Sequence, residues 1–298
     1  MSVNSGVWAG RFLQPYARPG TIAEAVLLLG RKGVCVLAGG TDLVTMRAEG
    51  IDDSSRVVDV KAIGELSGIT VGAKEISIGA CTCLDELSRS AVLGQNAISD
   101  GAKLVGGWQT RLRATIGGNI CRASPAADTL CGLLVLGGRL ELVSKKGKRL
   151  VAASEFFTGP GRTVLRSGEL LARIIFARHL GASAYQRFTY RNSMDLSVAG
   201  VAVFLELDGD RCINASVAVG ACGPTPIQVP KAADALVGST INAEAIEAAV
   251  NAVVATSSPI DDVRGTRKHR LHVLAPLTRR VTLEAFRRAA AIRGEAGS

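Results

Sequence analysis

The sequence predicts an α+β chain in two parts, a glycine-rich domain over residues 1–178 and a sheet-and-helix domain over 179–298. Three observations carry that expectation. Two glycine-rich stretches lie about 75 residues apart, Leu37-Ala38-Gly39-Gly40-Thr41-Asp42-Leu43 and Thr115-Ile116-Gly117-Gly118-Asn119. Short β-like runs alternate with helical patterns around them. From about residue 179 the texture changes to long alternating strands and then helices, the order of an α+β module.

Taken in order, residues 15–30 read as an extended lead-in, a Pro19-Gly20 turn and a helix. Thr21 stands at the N-cap and Glu24 three residues on completes a capping box. Ala25, Val26, Leu28 and Leu29 supply the apolar face. The strand Val34-Cys35-Val36-Leu37 runs into the first glycine stretch, and Val57-Val58-Asp59-Val60 is the next strand. Together these make a small β-α-β-type unit, the first of two subdomains, over about 1–62. The second, about 63–178, carries a strand at Ile76-Ser77-Ile78 and a helix from Leu84 to about Ala91 with Asp85 and Glu86 in its first turn. A helix over Ala97–Val105 leads to the Gly106-Gly107 turn. Thr129–Leu136 is helical in pattern, and Arg139–Val143 with Arg149–Ala152 form a hairpin around Lys146-Gly147. In the last domain Tyr185–Phe188, Ser197–Leu207 and Arg211–Val219 are antiparallel strands turning at Asp208-Gly209-Asp210. Helices over Ala243–Ala255 and Thr266–Ile292 follow, the second kinked or broken at Pro276.

Composition narrows the possibilities. A chain of 298 residues with 47% hydrophobic content suffices for two domains, and only Met1–Gly6 and Gly294–Ser298 look unstructured. No apolar run approaches the ~18 residues of a membrane span, and the N-terminus lacks a basic-then-apolar leader, so a cytoplasmic location is expected. Seven scattered cysteines fit reduced thiols. The net charge of +9 invites a nucleic-acid reading, but the basic residues are spread out and no aromatic platform interleaves with them. A solvated surface or an acidic protein partner accounts for the charge better.

The two glycine pairs are where chemistry concentrates. Adjacent glycines let backbone amides converge on an anion without interference from Cβ, and two such loops point to an extended phosphate bridge such as a dinucleotide. No Gly-Lys-Ser/Thr follows either pair, which excludes a P-loop, and Gly-x-Gly-x-x-Gly is absent, which excludes a Rossmann fingerprint. For the first stretch, a helix cap from Thr41 or Asp42 is the structural alternative. Asp128 reads both as a cap for the following helix and as an acceptor for a ribose or adenine group. Arg111, Arg113 and Arg122 bracket the second loop and are candidates to neutralise a pyrophosphate. Cys81-Thr82-Cys83 has the wrong spacing for a zinc or redox pair, and Cys121 and Cys131 lack two further nearby cysteines for an iron–sulfur cluster. His179, His269 and His272 have no carboxylate at metal spacing, and no Gly-x-Ser-x-Gly elbow is present. No residue set looks able to make or break a substrate bond.

The ordered motifs Ala38-Gly39-Gly40-Thr41-Asp42-Leu43, Ile78-Gly79-Ala80, Thr115-Ile116-Gly117-Gly118-Asn119, Ala123-Ser124-Pro125-Ala126-Ala127-Asp128 and Phe156-Phe157-Thr158-Gly159-Pro160-Gly161 resemble one family. It is the FAD-binding (medium) subunit of molybdenum hydroxylases, the xanthine dehydrogenase and carbon monoxide dehydrogenase group, and the likeness runs from Pro15 to about Arg287. The resemblance implies a two-part FAD-binding domain of the vanillyl-alcohol-oxidase (PCMH) type, followed by a C-terminal antiparallel three-stranded sheet with helices. It implies non-covalent FAD, its pyrophosphate held by Val36, Leu37, Ala38, Gly39, Gly40, Thr41, Asp42 and Leu43 and by Thr115, Ile116, Gly117, Gly118 and Asn119. Asp128 would contact the adenosine part, Val105-Gly106-Gly107 would lie near the isoalloxazine, and Leu170 or Leu171 with a basic residue, Arg187, would complete the site.

Three positions depart from the family pattern. Arg187 stands where many members have lysine, Thr41-Asp42 replaces His-Ser of the carbon monoxide enzymes, and His269-Arg270 replaces a Tyr-Arg pair. The cysteine-rich [4Fe–4S] insertion of some relatives is absent. The implied role is an electron relay from a small [2Fe–2S] subunit to an external acceptor, substrate chemistry belonging to a large molybdopterin subunit, in a dimer of heterotrimers. A stand-alone flavin oxidase of the same fold, or an assembly or binding protein without flavin, are the alternatives. No substrate domain supports the former, and the glycine pairs with Asp128 speak against the latter.

Overall fold

A computed structural model describes residues 15–296. Met1–Gly6 and the final residues 297–298 lie outside the described residues. The expected tail Gly294–Ala296 is instead the end of the last helix.

The first lobe is a parallel sheet of β1 (Tyr16–Ala17), β2 (Val34–Leu37) and β3 (Arg56–Asp59) in the order β1-β3-β2. Helix α1 (Ile22–Leu29) makes the crossover and buries Ala25, Val26 and Leu29. Its cap differs in one bond from the expected box. Thr21 Oγ1 accepts the Glu24 amide at 3.2 Å, but the Glu24 carboxylate reaches back to the Gly20 amide at 2.8 Å. A short helix, α2 (Leu43–Ala48), follows the first glycine stretch, the helix that the capping alternative for Thr41 or Asp42 implies.

The second lobe is built on an antiparallel sheet in the order β4-β5-β10-β6-β7. Its strands are β4 (Ile69–Val71), β5 (Glu75–Gly79), β6 (Arg139–Ser144), β7 (Gly147–Ala152) and β10 (Leu170–Ala177). The pair β8 (Phe157–Gly159) and β9 (Arg162–Thr163) lies beside it. Helices α3 (Leu84–Arg89), α4 (Ala97–Leu104), α5 (Trp108–Arg111), α6 (Ile116–Arg122), α7 (Asp128–Val135) and the one-turn α8 (Ala153–Phe156) pack with it. Asn96 caps α4, its Oδ1 accepting the amides of Ile98 and Ser99. Helix α7 is buried at all eight positions, so it forms an internal axis of this lobe.

The C-terminal part holds β11 (Ala182–Phe188), β12 (Ala199–Asp208) and β13 (Arg211–Gly220). A two-residue β14 (Ile227–Gln228) adds a fourth strand to the three expected. The turn between β12 and β13 is Gly209-Asp210, with Gly209 at φ 61°, as Asp-Gly sequences favour. Three helices rather than two follow: α9 (Pro230–Leu236), α10 (Ala243–Thr256) and α11 (Arg267–Ala296). Of the two outcomes expected at Pro276, a kink or a break, the break does not occur: α11 runs through Pro276 as one helix. Proline costs one helical hydrogen bond, and burial of Val273, Leu274, Leu277 and Val281 in the C-terminal core outweighs it. Among the described residues, no helix is long and apolar enough to cross a membrane.

Alternation along β12 decides how the two parts join. Val201, Val203 and Leu205 face the core under α9–α11, whereas Ala202 and Phe204 belong to the core of the second lobe. The C-terminal sheet is therefore covered on both faces. Polar bonds fix the seam as well. Asp100 of α4 accepts the Tyr185 amide at 3.0 Å and Arg288 Nη1 at 2.7 Å. Arg288 Nη1 also donates to the Ser183 carbonyl at 2.8 Å, and Ser183 Oγ accepts the Ala97 amide at 3.0 Å. Replacing Asp100→Ala strands these donors and should lower the unfolding free energy by about 2–3 kcal/mol. Denaturant titration against wild type measures this, and an unchanged midpoint would refute the assigned role.

Candidate functional site

The first glycine stretch forms a tight turn between β2 and α2. Val36 is part-exposed on the edge strand β2 beside Leu37, and Leu43 opens α2. Gly40 has φ +79°, a backbone conformation that side chains resist. Gly39 lies against the chain just before α6, where a Cβ would overlap the Arg113 carbonyl oxygen. The turn's carbonyls feed the helix, Gly40 and Asp42 accepting the amides of Val44 and Met46. The amides of Gly39, Gly40, Thr41 and Asp42 donate to no acceptor among the described residues. Asp42 occupies the N-cap of α2, yet its side chain makes no cap bond and pairs with Arg122 Nε at 3.6 Å.

The second stretch is not a loop. Thr115 caps α6, and residues 116–119 form that helix's first turn. Its amides are all used: Ile116 donates to Thr82 O, Gly117 to Ala80 O, Gly118 to Thr115 Oγ1 and Asn119 to Thr115 O. These glycines serve proximity instead. A Cβ on Gly117 would sit 2.6 Å from Ala80 Cβ, whereas one on exposed Gly118 meets nothing nearer than Thr115 Oγ1 at 3.0 Å. Asn119 Oδ1 accepts the Thr129 hydroxyl at 2.6 Å, which ties α6 to α7.

Other expected residues fall into distinct positions. Asp128 is the first residue of α7 and makes no cap bond, correcting that expectation. Its buried carboxylate accepts the Tyr185 hydroxyl at 2.8 Å on Oδ1 and Arg187 Nη1 at 2.5 Å on Oδ2. Burial pushes the Asp128 carboxyl up to about 6, with Arg187 and the Tyr185 hydroxyl pulling it down. Arg111 is not turned to a phosphate site, since its Nη1 donates to the carbonyls of Val105 and Gly106 and pins that turn. Gly106 there has φ +51°. The Leu171 side chain is packed in the second lobe's core, opposite Leu142. Arg113 is exposed.

Tyr185 escaped sequence reading, although it stands two residues before Arg187 and so shares its strand face. Phe188, Tyr190 and His269 form a ring cluster at the end of β11. Tyr190 stacks on His269 with centroids 6.0 Å apart, and Phe188 meets both rings edge-on. The loop after β11 brings Met194 Sδ to 3.6 Å from where a Gly107 Cβ would lie.

A groove of about 430 Å³ elsewhere is lined by Ile76, Leu136, Phe176, Arg178 and Arg288, and it shares no residue with the glycine turn. Among the described residues no His, Cys, Asp and Glu group of three or more is placed to hold a metal ion. Burial raises the thiols of Cys81 to about 11 and of Cys121 and Cys222 to about 12, leaving them poor nucleophiles.

Fold and site together define a dinucleotide-type binding domain that is neither Rossmann nor P-loop, joined to a sheet-and-helix domain. Residues 10–177 match the family described as "FAD binding domain in molybdopterin dehydrogenase", and residues 183–285 match "CO dehydrogenase flavoprotein C-terminal domain". The chain belongs to the FAD-binding medium-subunit family of the xanthine dehydrogenase and carbon monoxide dehydrogenase group. It is 31% identical over 278 residues to the xanthine dehydrogenase FAD-binding subunit of Escherichia coli O157:H7, covering 91% of this chain and 95% of that one. To the carbon monoxide dehydrogenase medium chain of Afipia carboxidovorans it is 32% identical over 280 residues, covering 92% and 97%. A crystal structure of Cu,Mo-CO dehydrogenase in its cyanide-inactivated form superposes with TM-score 0.88 at 30% identity, covering 92% of this chain and 98% of that one. Quinoline 2-oxidoreductase from Pseudomonas putida 86 gives 0.87 at 26% identity, covering 93% and 98%.

Two predictions follow from the geometry. Gly39→Ala drives a methyl into backbone and should cost about 3 kcal/mol of stability, whereas Gly118→Ala should stay within about 1 kcal/mol of wild type. Thermal melts of both check the contrast, and equal melting temperatures would contradict it. The second concerns pH. A raised carboxyl pKa means the folded chain holds the Asp128 proton more tightly than the unfolded chain. Its stabilising contribution is full below the ordinary carboxylate value near 4 and is lost as pH rises through about 6. Relative to Asp128→Asn, wild type should gain stability as pH falls from about 6 to about 4. A pH-independent difference in paired denaturant titrations would rule this out.

Proposed function

We propose that this chain is the flavin subunit of a three-subunit molybdenum hydroxylase, relaying electrons from the [2Fe–2S] clusters of a small partner subunit to an external acceptor. The single observation that carries the reading is the β2–α2 turn, in which the four consecutive amides of Gly39 to Asp42 have no acceptor among the described residues and Gly39 packs on the segment before α6. Consecutive unspent amides are the donors that a pyrophosphate would take. FAD, when bound, would supply the one- and two-electron chemistry.

The chain's own residues do the binding and orienting. Val36–Leu43 would hold the phosphates through backbone amides. Thr115–Asn119 would let the cofactor approach closely, because Gly118 presents no side chain. Arg122, which pairs with Asp42 beside the turn, would compensate phosphate charge. Gly106, fixed by Arg111, would border the ring end, and Asp128, Leu171 and Arg187 would complete the pocket from α7, β10 and β11. The flavin domain would span 1–178 and the C-terminal domain 179–298. Substrate oxidation would belong to a large molybdopterin subunit, in keeping with the lack of a metal-holding group among the described residues. The complex would be a dimer of heterotrimers in the cytoplasm, and the +9 charge suits acidic surfaces on the partners.

Purified chain incubated with FAD should retain flavin absorbance through gel filtration. Gly40→Val and Gly118→Val should each lose most of it while keeping a wild-type circular dichroism spectrum. Undiminished flavin in both variants would show that these glycines are structural only. No flavin in the wild type, even after assembly with [2Fe–2S] and molybdopterin partners, would overturn the proposal.

A further inference from the structure

The residues around Asp128 form a built arrangement larger than the cofactor reading uses. The Asp128 and Arg187 side chains are only 5% and 4% exposed, so this ion pair is shielded from solvent. Tyr185 supplies the second donor, to the other carboxylate oxygen. Tyr185 is 4% exposed, and burial raises its hydroxyl well above 10, so it remains a proton donor. Its place depends on the next strand. A Cβ on Gly200 of β12 would sit 2.5 Å from the Tyr185 hydroxyl oxygen and 3.0 Å from its ring, so only glycine leaves that room.

We infer that Tyr185 is a positioning residue for the cofactor site, holding Asp128 Oδ1 so that Arg187 takes Oδ2 and the N-terminus of α7 is fixed against the C-terminal sheet. The inference rests on the reading that Asp128 borders the bound FAD at its adenosine part. Asp128 has roughly four lone-pair directions. Two are filled by donors from β11, which sets the direction in which the remaining pair can face. Gly200 makes the arrangement depend on β12, so the C-terminal domain shapes the cofactor site through side chains that need not touch the cofactor.

The charged and titratable groups facing Asp128 are Arg187 and Tyr185 from β11 and Cys131 from its own helix, with Cys222 beyond Cys131. The Cys131 thiol is pushed up by burial, so it stays neutral and does not compete. Tyr185 and Arg187 both favour the ionised carboxylate. Removing either donor moves Asp128 towards the neutral form, in which its grip on Arg187 is lost.

The test is FAD affinity of the full-length chain between pH 5 and pH 8, for wild type, Tyr185→Phe, Gly200→Ala and Asp128→Asn. Wild-type affinity should weaken as pH falls through about 6. Tyr185→Phe keeps the ring and loses one hydrogen bond to a charged group, so affinity at pH 7 should fall about tenfold. The midpoint of its pH profile should move up by about one unit. Gly200→Ala, which displaces the hydroxyl with the ring intact, should reproduce both changes. Asp128→Asn should abolish the pH dependence and make a further Tyr185→Phe change nearly silent.

A merely structural tyrosine would lower the melting temperature and leave the pH midpoint where it is; that outcome overturns the inference while the flavin reading stands. Wild type that binds FAD with no pH dependence overturns it in the same way. Wild type that binds no FAD removes the flavin reading and this inference together.

Discussion

The arrangement of the molecule depends on two carboxylates of the second lobe reaching into one strand of the C-terminal sheet. Asp100 on α4 and Asp128 on α7 meet β11 from two neighbouring helices. The first accepts the Tyr185 amide, and the second accepts the Tyr185 hydroxyl and the Arg187 guanidinium. A buried carboxylate without such partners would cost several kcal/mol. Here Asp128 takes two side-chain donors from β11, and Asp100 takes a main-chain donor from β11 and the Arg288 guanidinium from α11. The apolar alternation of β12 brings the sheet to that position, and the carboxylates then fix its register against the helices.

The two glycine segments share a sequence character but not a physical role. In the β2–α2 turn, glycine allows a positive φ and leaves amides unspent. In α6 the amides are consumed by the turn after β5 and the helix cap, and glycine matters because nothing projects from it. Gly39 links the two by lying on the backbone that leads into α6. On the proposed reading, an anion would take its donors from one segment and its clearance from the other.

Much of this was legible in the sequence because it was local. The Thr21 cap, the Lys146-Gly147 and Gly209-Asp210 turns and the β-α-β order all follow from short-range patterns, and each appears in the structure. What escaped depended on partners far along the chain. Strand β10 is a near-continuous apolar run, Leu170–Ala177, whose period is silent because it lies between β5 and β6 in the middle of its sheet. Thr115–Asn119 has the residues of a glycine loop, and the Thr115 cap together with the distant acceptors at Ala80 and Thr82 makes it a helix start. Asp128 looked like a cap because it opens α7, and its donors lie 57 and 59 residues downstream. Tyr185 carried a local signal, its i, i+2 relation to Arg187, but the value of that relation appears only once Asp128 is opposite.

The same contrast explains why the departure at Arg187 is physically tolerable. An ammonium in its place would offer a compact charge with freely rotating donors, and its position would be set by whatever it faced. The guanidinium is planar and directional, so it needs a fixed acceptor, and Asp128 supplies one only while its other oxygen is restrained by Tyr185. Gly200 in turn has no side chain because the Tyr185 hydroxyl occupies that space. Arginine at 187, tyrosine at 185 and glycine at 200 therefore form one steric and electrostatic unit. In such a unit the cost of changing any member depends on the other two, as expected where buried charge and hydrogen bonding are coupled.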